Sequence, residues 1–152
     1  MSSHCCLPLF FSNFCATAGQ QLQACRYSVL FLTTMVKVTY CETGKAAAHT
    51  GGGCMELQSA SVHFISAKHT TPVKKYVDDI NFRLVSYGFF THCHVSAMSV
   101  SETWYAVTDH GTNYCNLYNL MEGSGLTEAP GYKEITSDFL CTQRSSANCT
   151  VY

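Results

Sequence analysis

Apolar and polar residues alternate with a period of two through much of the second half of the chain, a pattern that predicts strands. It is plainest between Glu102 and Leu126. Trp104, Ala106 and Thr108 fall on one side there, and Thr103, Tyr105 and Val107 on the other. Beyond Asp109-His110-Gly111-Thr112, Tyr114, Asn116, Tyr118 and Leu120 share one face, while Cys115, Leu117 and Met121 share the opposite one. Asp bonds readily to the backbone two residues on and Gly accepts positive φ, so this break reads as a turn. The prediction is a β-hairpin whose second strand ends at Gly123-Ser124-Gly125, with Trp104 largely buried at the centre of the first.

Met55 to Ala67 alternates weakly around Val62 and Phe64 and reads as one strand, broken by Thr70-Thr71-Pro72. The next stretch carries two patterns. Val73, Val77, Ile80 and Leu84 have helical spacing, yet Ile80, Phe82 and Leu84 alternate against Asn81 and Arg83. A short turn or helix over 72–79 and a strand over 80–90 satisfy both. His92 to Val100 is a further strand, with His94, Ser96, Met98 and Val100 on one face and Cys93, Val95 and Ala97 on the other. Pro130-Gly131 marks a turn, and Tyr132 to Leu140 alternates poorly, as an edge strand does. The fold class is therefore mainly β: an antiparallel meander of about six or seven strands, forming a curved sheet, sandwich or small barrel, with at most one short helix.

The chain has 152 residues, enough for one domain with a real core. Charged residues make up only 12% against 47% hydrophobic, net charge is −1, and Lys74-Lys75 is the longest basic pair. A nucleic-acid binder needs a larger basic footprint than that. At the N-terminus an apolar stretch, Cys5 to Cys15, precedes the small-residue pattern Ala16-Thr17-Ala18. Residues 1–18 thus read as a signal peptide, leaving a single β-rich domain over 19–152. A second apolar run from Tyr27 to Val36 moves the alternative cleavage to about residue 36, or else forms a strand reaching Tyr40. Neither run has the roughly 18–20 apolar residues that span a bilayer.

Ten cysteines sharpen this reading, because none is spaced C-x-x-C as in zinc ribbons or thioredoxin-like redox sites. Cys41, Cys54, Cys93, Cys115, Cys141 and Cys149 suit three disulfides and so an oxidising, extracellular compartment. Cys141 and Cys149 flank a polar segment, TQRSSAN, that has no apolar run to dock it, so the two are expected to pair with each other. The competing arrangement joins either one to Cys115 or Cys93 and anchors the tail to the domain.

Candidate chemistry is sparse. His92 and His94 stand at i and i+2, which on a strand puts both imidazoles on one face to grip a metal ion, with Asp109, His110 or His63 as the third ligand. No G-x-S-x-G is present, and Asp78-Asp79 reads as a pair on a solvated face. Gly51-Gly52-Gly53 leads into Cys54 with neither the glycine spacing nor the Lys of a phosphate cradle. Asn148-Cys149-Thr150 is an N-glycosylation acceptor pattern. Trp104, Tyr105, Tyr114 and Tyr118 supply an aromatic sheet face able to contact a ligand. The function expected is that of a secreted, non-enzymatic binding protein, without cofactor, that carries a small apolar molecule or recognises an extracellular partner. The alternative is a metal-dependent enzyme built on the His92/His94 strand. Oligomeric state is not legible.

Overall fold

The computed structural model describes residues 4–12, 53–86, 92–103, 109–129 and 131–150. In chain order these form β1 (His4–Ser12), β2 (Cys54–Ala60), β3 (Phe64–Thr70), β4 (Val77–Ser86), β5 (His92–Ser101), the helix α1 (Thr112–Gly123) and the two-residue β6 (Lys133–Glu134). Short 3₁₀ turns lie at Leu126–Glu128 and Arg144–Ser146.

The strands make one antiparallel sheet in the order β2-β3-β4-β5-β1-β6. Its heart is the expected meander, β2 through β5. β1 pairs along the far side of β5, from His4↔Val100 to Ser12↔His92, and β6 adds Leu9↔Glu134 and Phe10↔Lys133 at that margin.

Phase along each strand decides what is buried. Ile65 and Ala67 of β3, Ile80, Phe82 and Leu84 of β4, and Val95 and Ala97 of β5 all point to one face and are fully buried. The register sets Ile65 beside Phe82 and Phe82 beside Ala97, so the apolar positions form continuous rows across the sheet. The helix α1 covers this face with Leu117, Leu120 and Met121, and Leu126, Ala129 and Cys141 complete the core. On the outer face Lys68 bonds to Asp79 at 3.1 Å and to Glu102. Val85 and Met98 are exposed there, as alternation requires.

Several expectations are corrected. The predicted second strand of the hairpin, Tyr114 to Met121, is the helix α1. Asn113, Asn116, Leu117, Leu120 and Met121 sit at i, i+3, i+4, i+7 and i+8, all buried, which is a helical face. Two of the five are asparagines, so the apolar signal alone showed only the alternation. The turn at Asp109–Thr112 is real, but it opens a helix. Gly111 takes φ 80°, the backbone N–H groups of Gly111 and Asn113 donate to the Asp109 carboxyl at 3.2 and 3.1 Å, and Thr112 Oγ1 donates to the Asp109 carbonyl at 2.6 Å. Gly123-Ser124-Gly125 ends this helix instead of a strand; the Ser124 amide donates to the Leu120 carbonyl and Gly125 takes φ 72°.

The single strand expected over Met55–Ala67 is two, β2 and β3, joined through a turn in which Ser61 N–H donates to the Phe64 carbonyl at 2.7 Å. Val62, taken as the strand's centre, lies in that turn and is exposed. Of the 72–79 segment only 72–76 is a turn, with Lys75 at φ 55°; β4 begins at Val77, three residues earlier than expected. The edge strand over Tyr132–Leu140 contracts to Lys133–Glu134.

The tail is tied differently from the expected local bridge. Cys149 is joined to Cys115 on α1, 34 residues away, and not to Cys141. Cys54 and Cys141 are also disulfide-bonded. Cys93 lies in β5. Cys41, Trp104, Tyr105 and the run Tyr27–Tyr40 lie outside the described residues.

Candidate functional site

Two polar assemblies flank α1, one at the surface and one beneath it. The surface assembly starts from helical spacing. Tyr114 and Tyr118 are one turn apart, and their rings stack with centroids 5.7 Å apart and an interplanar angle of 24°. β6 and the tail bring charge to them. Tyr114 and Tyr132 hydroxyls both donate to Glu134 Oε2 at 3.3 Å. Arg144 donates to Glu134 Oε1 at 3.1 Å and lies 5.5 Å over the Tyr114 ring. Tyr118 donates to Glu122 at 3.2 Å. All three tyrosines are half-buried, so their rings are held rigidly yet remain within reach of solvent.

The electrostatics follow from that crowding. Burial, and behind it the negative charge of Glu134, push the Tyr114 hydroxyl up to about 12, with Arg144 pulling the other way. Tyr132 is raised by the same two causes, and Tyr118 by burial and then by Glu122. The phenols thus stay protonated, as donors to Glu134, across the physiological range. Chemically the cluster offers aromatic surface, fixed hydroxyls and one guanidinium. It offers no activated nucleophile.

The buried assembly joins helix to sheet. His69, Asp78 and Ser101 occupy one row of the inner face, since the register sets Asp78 opposite both of the others. Ser101 Oγ donates to Asp78 Oδ1 at 2.5 Å, Asn116 Nδ2 donates to Asp78 Oδ2 at 2.9 Å, and His69 Nδ1 makes a longer contact to Oδ2 at 3.4 Å. Ser99 Oγ donates to Asn113 Oδ1 at 2.6 Å, and Asn113 Nδ2 to Asp109 Oδ2 at 2.8 Å. Nearly every donor is satisfied, as a buried network must be. His69 Nε2 is the exception: it is buried, has no hydrogen-bond partner, and packs against Gly53. The pairing of a carboxyl with His Nδ1 resembles the orienting half of a catalytic triad. Ser101, however, bonds to Asp78 and not to Nε2, and the His69 side chain is only 4% exposed. The assembly therefore acts as a buried joint between α1 and the sheet.

Of the four aromatic residues expected to contact a ligand, Tyr114 and Tyr118 come together, on a helix instead of a sheet face. Trp104 and Tyr105 lie outside the described residues. His92 and His94 are both in β5, and His94 alternates with buried Val95, so it lies on the face away from α1. Among the described residues no group of three His, Cys, Asp or Glu is placed to hold a metal ion. Asp109, one proposed third ligand, has its carboxyl engaged with the first turn of α1.

Sequence reasoning missed Tyr132, Glu134 and Arg144, which become neighbours of Tyr114 only through the fold. It also set Asp78 on a solvated face, whereas Asp78 is 2% exposed and Asp79 alone is outside. A signal was present, because Asp78 is in phase with Ile80, Phe82 and Leu84, and on a strand adjacent residues face opposite ways. His69 is likewise in phase with Ile65 and Ala67. Compared with protein-family models, curated proteins and solved structures, the chain shows no significant match.

Proposed function

We propose that the protein is a secreted, non-enzymatic recognition domain that binds an extracellular partner through the tyrosine face of α1. The observation that carries this is the cluster of Tyr114, Tyr118 and Tyr132 around Glu134 and Arg144 at the surface. Tyrosine and arginine, held rigid and half-exposed, are the residues that dominate binding energy at protein interfaces. Few rotamers remain to be frozen on binding, since the hydroxyls and the guanidinium already hold one another. The arrangement favours a partner over an apolar ligand, because these aromatics lie on the outside of the helix while the inner face of the sheet is filled by Phe82, Leu117 and their neighbours.

Secretion is supported by the disulfides, which persist in oxidising compartments. Among the described residues no helix is long and apolar enough to cross a membrane. The binding experiment displays the protein against extracellular proteins and cell surfaces and compares it with Tyr118→Ala and Arg144→Ala. Each substitution weakens binding by about tenfold or more if it removes a hot-spot contact. Equal binding by folded variants overturns the assignment.

A further inference from the structure

We propose that Asn148 accepts an N-linked glycan, and that the transfer precedes closure of the Cys115–Cys149 bridge. The inference rests on the export reading and adds a modification site and an order of events to it. Asn148-Cys149-Thr150 is the sole N-x-S/T in the sequence. In the structure Asn148 and Thr150 are exposed, and the tripeptide is folded on itself: Thr150 Oγ1 donates to Asn148 Oδ1 at 2.6 Å and the Thr150 amide donates to the same oxygen at 3.3 Å. The contact lies within the tripeptide itself, so the hydroxyl can reach the Asn148 amide oxygen before the tail is fixed. Such a bond stabilises the charge that gathers on Oδ1 as Nδ2 gives up a proton.

The co-reactant is a lipid-diphosphate-linked oligosaccharide. Asn148 Nδ2 forms a bond to the sugar C1, the C1–O bond to diphosphate breaks, and its electron pair leaves with the lipid diphosphate. The proton lost from Nδ2 passes to a carboxylate of the transferase. No oxidant or reductant is required.

The middle residue sets the order. Once Cys149 is joined to Cys115, and its carbonyl oxygen accepts from Asn119 Nδ2 at 3.3 Å, the acceptor backbone is pinned against α1. A transferase must draw the tripeptide into its own cleft, which a pinned backbone resists. Oxidation of Cys149 and glycosylation of Asn148 therefore compete in time, and the protein emerges as a mixture of occupied and unoccupied chains.

The full chain is translated with microsomes, with protease protection to score translocation and peptide-N-glycosidase to score sugar. The expected result is a protected chain, part of which runs one glycan larger and collapses on digestion, with Asn148 converted to Asp. Asn148→Gln and Thr150→Ala abolish the larger band. Cys115→Ser, which leaves the acceptor sequence intact, raises the glycosylated fraction. A protected chain without sugar in both wild type and Cys115→Ser overturns the site. Equal occupancy in those two overturns the order, and a band that survives Asn148→Gln overturns the assignment to Asn148. An unprotected chain overturns the export reading and this inference together, so the two failures are told apart.

Discussion

At Gly53 the sheet margin meets His69 so closely that an added Cβ falls 2.0 Å from Nε2 and 2.8 Å from the Thr70 carbonyl oxygen. The imidazole cannot swing away freely, because its other nitrogen contacts Asp78 and the side chain is buried. Gly53→Ala should cost about 1–3 kcal/mol, the usual penalty of overpacking, as read from urea unfolding midpoints. A loss below about 0.5 kcal/mol means the ring yields and the joint is softer than its geometry implies. At Tyr114 the expectation concerns pH. The folded protein holds this hydroxyl up to about 12, whereas in an unfolded chain a tyrosine titrates near 10. Below about pH 10 both states are protonated and the contribution to stability is constant. Above it only the unfolded chain ionises, so stability falls as pH rises through the folded value. Ultraviolet titration of phenolate should show late-titrating tyrosine, and Tyr114→Phe should remove part of it. An unchanged titration curve in Tyr114→Phe contradicts the placement.

The helix shows what an element's sequence can and cannot announce. Strands β4 and β5 were legible because apolar residues alone carry their phase: Ile80, Phe82, Leu84 and Val95, Ala97 are all on the face that is buried. In α1 the buried face is shared between asparagines, which bond to Asp78, Ser99 and Asp109, and leucines, which pack on the sheet. A hydrophobic period cannot reveal positions whose partners are polar. The tyrosine cluster was half legible: Tyr114 and Tyr118 stood out, whereas Glu134 and Arg144 are brought there by tertiary structure. The glycines at the two ends of α1 test the boundaries directly. Gly111 has φ 80° and an added Cβ would meet Ala147 Cβ at 2.4 Å; Gly125 has φ 72° and no atom within 4 Å of the new group. Gly125→Ala should cost only the backbone term, about 1–2 kcal/mol. Gly111→Ala should cost that and a clash of about 1–3 kcal/mol more, since Ala147 is backbone-proximal and cannot rotate away. Thermal melts of the two variants rank them, and equal losses would mean that the tail does not press on the start of the helix.

Across the whole molecule, the N-terminal and C-terminal segments are both attached to the meander from outside. β1 occupies the stretch that cleavage after Ala18 removes, and among the described residues β6 pairs with β1 alone. N-terminal sequencing of secreted material therefore reports on the sheet as well as on export. A start beyond residue 18 deprives β5 of its β1 partner, and an intact Met1 in a cytosolic protein sinks the secreted reading. The C-terminal segment is held by His110 N–H donating to Gln143 Oε1 at 2.8 Å, by Arg144 on Glu134, and by the Cys115–Cys149 bridge. With the paired positions 34 residues apart in sequence, the chain-entropy relation puts that bridge at about 4 kcal/mol. The local Cys141–Cys149 bridge, between positions eight apart, would reach only about 2.5 kcal/mol. Anchoring the tail to α1 also fixes Arg144 over Tyr114, so the bridge supports the tyrosine face as well as the fold. Cys115→Ala with Cys149→Ala should lower stability by about 2–4 kcal/mol, and protease should cleave within 141–150 before the rest of the chain. Partner binding should weaken in the same variant, although no tyrosine has been touched. If unfolding and proteolysis are unchanged, the noncovalent contacts of Gln143 and Arg144 suffice to hold the tail, and the bridge contributes nothing to either.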